Sequence, residues 1–266
     1  MKSGATITPI IISSNKTQLT LFQNKCAYPV YMTISNLPKN IRRKPSCQGQ
    51  ILLAYLLVTH LEHITNQAAC QRMLSNLFHA CMSCVLDPLK TAGVDGMPMT
   101  SGDGVVWRAH PILAAFIGNY PEQVLICCCK TGNCPKCIIN QDEIGESKDP
   151  SPLCDLDSIL STLGELDNGP LAFAHACQEA GIKPVFHPFW QDLPYVNIYL
   201  SITPNILYQL YQGVIKHLIA WIKTIYGSAE LDAWCCWLPP NHGVHLFVNG
   251  ISKLYQVSGK EHADIC

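Results

Sequence analysis

The order of the first predicted elements constrains the fold of this chain more than any other feature. Three strand-like runs, rich in β-branched and apolar residues, cover residues 6–13, 28–34 and 50–57. Residues 66–92 then place apolar side chains three or four positions apart, which predicts one long amphipathic helix that Pro88 and Gly93 end. Three strands followed by a helix indicate an α/β fold with a mixed sheet.

The remainder of the chain adds strands first and helices later. Strands are predicted at residues 97–100, 105–109 and 112–117, and helices at 156–166, 170–180 and 204–226. For the last helix we expect Thr203 as N-cap, Pro204 at the first position and Gly227 at the end. Three strands, one helix and a further strand match the first half of an RNase H-like fold, an order that other α/β proteins share. We predict a sheet region at 1–132 and a mainly helical region at 133–266.

Charge and cysteine content limit the functions open to the chain. Charged residues make up 14% of the sequence and the net charge is −1, so strong binding to DNA phosphates is not expected. The apolar run at 7–12 is too short for a signal core or a membrane span, which favours an intracellular protein without membrane segments. Its 15 cysteines are then expected to be reduced thiols or metal ligands. Neither a cysteine peptidase motif nor a glycine-rich phosphate loop is recognisable.

Several segments, in the same order along the chain, resemble the Plavaka-type transposases of fungi, within the Kyakuja–Dileera–Zisupton group. The matching segments are residues 16–20, 27–34, 41–46, 118–123, 134–137, 187–190, 193–195 and 201–217. The resemblance implies a partial RNase H-like core followed by a helical insertion, a nuclear location and DNA as partner. It also implies DDE chemistry, in which three acidic side chains hold two divalent ions, usually Mg²⁺, for DNA strand transfer.

The positions that match the family's acidic residues are amides in this sequence. The family pattern Ser-Asp-Lys-Thr is matched with Asn15 as its second residue, and Gly-Asp-Tyr-Pro-Glu is matched with Asn119. Asp103 is a rival for the second acid, since it also lies between predicted strands. No convincing third acid precedes Cys266. A neutral amide oxygen binds Mg²⁺ weakly, so we expect a truncated, degenerate and inactive copy of such a transposase. Without the resemblance, Asn15 and Asn119 would be interpreted as ordinary turn or cap residues.

The resemblance also extends to an insertion motif, Asp-x-x-His. Asn205 and Tyr208 occupy its two polar positions, so both are changed. We expect this motif to have lost its family role.

Two further clusters could bind ligands. Cys134 and Cys137 have the spacing of half a zinc site, and the alternative is a pair of thiols in a turn. The candidate partners are Cys154, His175, Cys177 and His187, and no spacing selects among them. Lys39, Arg42, Arg43 and Lys44 form a basic patch that could contact DNA phosphates or simply be a solvated loop.

Three functions therefore remain open from the sequence. The first is a transposase-derived protein that has lost catalysis. The second is a non-catalytic remnant that binds DNA or a partner, and the third is a non-functional open reading frame. In the third case, exposed apolar side chains would favour aggregation.

Overall fold

The computed structural model describes residues 5–20, 25–139, 141–143, 151–254, 257 and 259–265. The chain forms two compact units, Met1–Thr203 and Pro204–Cys266. The boundary predicted after residue 132 lies inside the first unit. The predicted combination of a mixed sheet with helices is confirmed.

The main sheet is built around its first strand, β1 (Thr6–Ser14). The next strands are β2 (Thr17–Gln18), β3 (Cys26–Ala27), β4 (Pro29–Ile34), β5 (Ile51–Tyr55), β6 (Met97–Thr100), β7 (Val106–Gly118) and β8 (Ile202–Pro204). The sheet order is β5-β4-β1-β7-β6, with β8 also paired to β7, while β2 and β3 pair separately. β1 is antiparallel to β4 and parallel to β7, so β1 and β7 end at the same edge of the sheet.

A single long helix follows the third strand of the sheet, as predicted, but it ends later. Helix α2 (Gln67–Asp95), which follows the short α1 (Lys39–Arg42), passes through Pro88. The prediction that Pro88 and Gly93 end it is wrong, because a proline forfeits only one helical hydrogen bond when its neighbours continue the helix. The helix ends where Gly96 adopts a positive φ of 71°, a conformation that favours glycine.

The two strands predicted at 105–109 and 112–117 are one strand, β7. Pro111 lies inside it, with Thr8 of β1 as its partner in the register. The proline lacks one ladder donor, but pairing with β1 continues on both sides of it, so the strand is not interrupted.

The helix predicted at 204–226 is also different in its first half. Thr203 lies in β8 and is not an N-cap, because the chain pairs with β7 there before it turns into a helix. A π-helix (Ile206–Ile215) then leads into α7 (Lys216–Tyr226), which Gly227 ends with a φ of 87°. The predicted end is therefore confirmed.

The other helices lie between β7 and β8 or after β8. They are α3 (Tyr120–Ile126), α4 (Leu156–Gly164), α5 (Pro170–Glu179), α6 (Ile198–Ser201), α8 (Ser228–Trp237) and α9 (Gly259–Ile265). Short 3-10 turns cover Pro45–Cys47, Gln141–Glu143 and Glu165–Asn168. Among the residues that the structure describes, no helix combines the length and apolarity needed to cross a bilayer.

The core of the first unit joins the sheet, α2 and the segment around residue 190. Phe189 packs between His79 of α2 and Phe116 of β7, with ring centroids 5.5 Å and 5.9 Å away. Trp190 is 2% exposed, and its Nε1–H donates to the carbonyl oxygen of Ile126 at 2.8 Å. The segment that follows the sheet is therefore an integral part of the hydrophobic core.

Candidate functional site

The candidate site lies where β1 and β7 end side by side. Because the two strands are parallel and adjacent, the residues that follow them, Asn15 and Asn119, meet although 104 positions separate them. The Nδ2 of Asn119 donates to the Oδ1 of Asn15 at 3.2 Å. The Oδ1 of Asn119 also accepts the backbone N–H of Glu122 at 3.1 Å, which caps α3. Both amide oxygens are therefore already hydrogen-bonded within the protein.

A buried carboxyl group, that of Glu122, lies next to the two amides. Glu122 is 5% exposed, and its Oε1 accepts the Ser14 hydroxyl at 2.8 Å and the Tyr28 hydroxyl. Burial raises the pKa of Glu122 above its ordinary value, although the two hydroxyl donors and Lys16 act in the opposite direction. Sequence reasoning did not single out Glu122. The only signal for it was its place as the last residue of the matched Gly-Asp-Tyr-Pro-Glu pattern.

A cavity of about 340 Å³ opens at this point between the strand ends and α2. Its polar lining includes Asn15, Lys16, Asn119 and Glu122, and most of the remaining lining is apolar, including Leu77 and Phe78. The cavity therefore presents two amides, one buried carboxyl and one cation to a ligand.

Asp103, the rival for the second acid, lies elsewhere. It is in the turn before β7, whereas Asn119 follows the end of that 13-residue strand, which corresponds to roughly 40 Å of extended chain. Its Oδ1 accepts the Ser101 hydroxyl and the Val105 N–H, and these hydrogen bonds lower its pKa. The structure thus brings Asn119 to Asn15 and leaves Asp103 at the opposite end of the strand.

Cys134 and Cys137 form a close pair of thiols. The Cys137 thiol donates to the Cys134 Sγ at 3.0 Å, and the Cys137 backbone N–H points to the same sulfur at 3.4 Å. Burial opposes ionisation of Cys134, but the hydrogen bonds outweigh it, so the pKa of Cys134 lies below its ordinary value. Burial, together with the neighbouring Cys134 and Cys137, raises the pKa of Cys154 to about 11.

The other predicted zinc partners do not complete a site with this pair. His175 is exposed and lies 3.6 Å from the Glu179 carboxylate, and Cys177 is buried. Within the described ranges, no group of three His, Cys, Asp or Glu side chains is arranged to hold a metal ion. The described residues therefore provide two adjacent thiols and no complete set of zinc ligands.

The basic patch lies at the other edge of the sheet. Lys39 and Arg42 belong to α1, and Arg43 and Lys44 follow directly, in the connection between β4 and β5. That connection leaves β4 at Ile34, which pairs with Ile10 in the middle of β1, and the Asn36 Nδ2 then donates to the Ile7 carbonyl oxygen, so the chain leaves the sheet away from Asn15. No ion pair found in the described part of the chain involves these four residues, and the Arg42 Nε is buried without a hydrogen-bond partner.

The insertion motif belongs to the second unit. Asn205 lies between β8 and the π-helix, and its carbonyl oxygen accepts the Gln209 N–H at 2.9 Å. The side chain of Tyr208 lies outside the described residues.

A comparison with known protein families gives a match, and it covers all the site residues described above. The family model of the Plavaka transposases matches residues 1–222, which include the sheet, both asparagines, Glu122 and the cysteine pair. No curated protein matches the chain.

Proposed function

This chain belongs to the Plavaka transposase family, and on that premise we propose that it is a transposase-derived protein without strand-transfer activity. The match covers 222 of 266 residues. The observation that carries the proposal is the 3.2 Å hydrogen bond between Asn15 and Asn119, at the two adjacent strand ends where the family resemblance expects metal-binding acids.

We further propose that the first unit is a partial RNase H-like core. The support is its topology: three antiparallel strands in the order β5-β4-β1, a long helix, and then a strand that pairs in parallel with β1. In that arrangement the central strand and its parallel neighbour end side by side. Acidic residues at those two ends can share metal ions, so the topology is well suited to the chemistry of the family.

The residues present do not fit Mg²⁺. This ion requires anionic oxygen ligands in octahedral geometry, and both amides are neutral, with their oxygens already used by Asn119 Nδ2 and the Glu122 N–H. One Glu122 oxygen is occupied by two hydroxyl donors, and the raised pKa of Glu122 weakens its ability to act as an anionic ligand. Lys16 also lines the cavity, and its positive charge disfavours a cation. No catalytic step through a metal follows from this site.

Replacing both amides by carboxylates tests the proposal. In the Asn15→Asp/Asn119→Asp variant we expect Mn²⁺ or Mg²⁺ to bind at least about tenfold more tightly than to the unmodified protein, about 1.4 kcal/mol, because two adjacent anionic ligands are restored. Titration calorimetry, or the loss of free Mn²⁺ signal in electron paramagnetic resonance, measures this affinity.

The matched control adds the same charge at exposed positions. The Asn36→Asp/Asn241→Asp variant should bind the ion no better than the unmodified protein. Equal affinities of the two double variants, with folding intact by circular dichroism, would contradict the site assignment. Tight binding by the unmodified protein would contradict the loss of the metal site.

A second candidate function, weak DNA binding without catalysis, rests on the basic patch. Four cations without an ion-pair partner in the described part of the chain can neutralise phosphates. If three phosphates are contacted, affinity should fall about 40-fold when salt rises from about 50 to about 200 mM.

Fluorescence anisotropy with a short duplex measures the DNA affinity and its dependence on salt. The Arg42→Gln/Arg43→Gln variant should bind DNA more weakly, and its affinity should depend less steeply on the salt concentration. The Lys253→Gln/Lys260→Gln variant makes the same charge change elsewhere and should keep the affinity and the salt dependence of the unmodified protein. Equal losses in the two variants would show that only net charge matters and would remove this candidate.

A further inference from the structure

The cysteine knuckle, residues 134–137, has no part in the function proposed above. Its two thiols are hydrogen-bonded to each other at 3.0 Å, and both side chains are half-buried, so solvent can reach them. The Cys134 sulfur receives two donors, the thiol and the backbone N–H of Cys137. Donors directed at a sulfur stabilise its thiolate form, which is the nucleophile in thiol chemistry.

The backbone around the knuckle is fixed from two sides. On one side, the Tyr120 hydroxyl donates to the Asn133 carbonyl at 3.0 Å and accepts the Gly132 N–H at 2.9 Å. Tyr120 directly follows Asn119, so this anchor ties the knuckle to the candidate site. On the other side, the segments 136–138 and 152–154 form a short antiparallel pair. The two sulfurs are therefore held at short range by the fold.

The geometry suits a dithiol better than a zinc site. Two thiolates on a tetrahedral zinc ion lie about 3.8 Å apart when each Zn–S bond is about 2.3 Å, whereas these sulfurs are 3.0 Å apart. A structural zinc site also needs four ligands, and among the described residues no third ligand joins the pair to form a metal-binding group. A disulfide requires the sulfurs to approach by about 1 Å, to about 2.05 Å.

We propose that Cys134 and Cys137 form a redox-active dithiol that is oxidised by low-molecular-weight disulfides such as oxidised glutathione. The Cys134 thiolate attacks one sulfur of the glutathione disulfide, which forms a mixed disulfide and releases one glutathione thiolate. Cys137 loses its proton and attacks the Cys134 sulfur, which forms the Cys134–Cys137 disulfide and releases the second glutathione. The protein loses two electrons and two protons, and one glutathione disulfide becomes two glutathione thiols.

Peptide mapping of the full chain tests this reaction. Trypsin cleaves after Lys136, so the disulfide joins the two peptides 131–136 and 137–148. After incubation with oxidised glutathione, alkylation and digestion, we expect this linked pair as the main form of the knuckle, and its loss on reduction with dithiothreitol.

Single variants separate the two steps. Cys137→Ser should accumulate glutathione on Cys134, because no second thiol can displace it, and Cys134→Ser should give no linked peptides and at least about tenfold slower glutathione attachment at Cys137. Cys154→Ser, a change at a neighbouring thiol, should leave the linked peptides unchanged. Stable glutathione attachment at both cysteines of the folded protein would overturn the proposal. So would one zinc ion per chain that is retained after dialysis and blocks oxidation.

Discussion

Acidification from neutral pH to below about pH 4 is expected to lower the free energy of unfolding by about 3 kcal/mol through His79 alone. Burial lowers the pKa of His79 from its ordinary 6.5 to about 4. Its Nε2 is 3.0 Å from the Leu125 carbonyl oxygen, the Phe189 N–H points to its Nδ1 at 3.4 Å, and the Cys128 sulfur is 3.6 Å away. A neutral ring can donate from Nε2 to the Leu125 carbonyl and accept the Phe189 N–H at Nδ1. A charged ring carries a proton on both nitrogens, so it could no longer accept the Phe189 N–H.

The sign follows from the direction of the pKa shift. A basic group with a lowered folded-state pKa contributes stability that is fully present above pH 6.5 and is lost progressively as the pH falls from 6.5 to about 4. Glu122 acts in the opposite sense, because its raised pKa contributes stability at low pH that is lost as the pH rises through its folded-state value. The net profile is therefore the sum of the two effects.

Urea denaturation at a series of pH values, compared between two variants, isolates the His79 contribution. His79→Gln should lose stability at neutral pH and should flatten the dependence between pH 6.5 and 4. His175→Gln, at an exposed position, should retain the slope of the unmodified protein. An unchanged slope in His79→Gln would refute the assignment.

Truncation of Trp190 is expected to have the largest effect of any single substitution considered, about 4 kcal/mol. The indole is 2% exposed, packs 6.4 Å from the Tyr199 ring centroid, and donates to the Ile126 carbonyl. Trp190→Ala removes a large buried surface and leaves that carbonyl without its donor. A loss of this size is a large fraction of the stability of a typical domain.

The second unit provides a matched comparison. Trp237 is 78% exposed, so Trp237→Ala should change the free energy of unfolding, measured by urea denaturation, by about 0.5 kcal/mol or less. Because Ile126 ends the helix that Asn119 caps, Trp190→Ala should also weaken metal binding in the Asn15→Asp/Asn119→Asp background. Similar losses for the two tryptophans would contradict the description of the core.

Sequence reasoning predicted the elements whose signal is local. The period of the apolar residues predicted α2, and the β-branched runs predicted β1 and β4 to within one or two residues. It failed where distant pairing decides the structure: β8 forms because Ile202–Pro204 meets β7, and β7 continues through Pro111 because β1 pairs with it on both sides. Local propensity contains no information about such partners.

The same distinction applies to the candidate site. Asn15 and Asn119 could be identified from the matched motifs, and their closeness follows from the parallel pairing of two buried strands. Glu122 lies in the same matched motif as Asn119, but its buried contacts could not be predicted from that motif, because its partners Ser14 and Tyr28 are 108 and 94 positions away. Its burial results from three elements meeting, which no short sequence pattern encodes.

The amide-to-amide hydrogen bond at the strand ends has a thermodynamic consequence. Two carboxylates at this separation would repel each other unless a cation lay between them or one of them were protonated, so cation binding would stabilise the junction of β1 and β7. With Asn15 and Asn119 the junction carries no charge, and the two side chains are hydrogen-bonded to each other. We therefore expect the stability of the first unit not to depend on the divalent cation concentration, so that a chelator leaves its melting temperature unchanged.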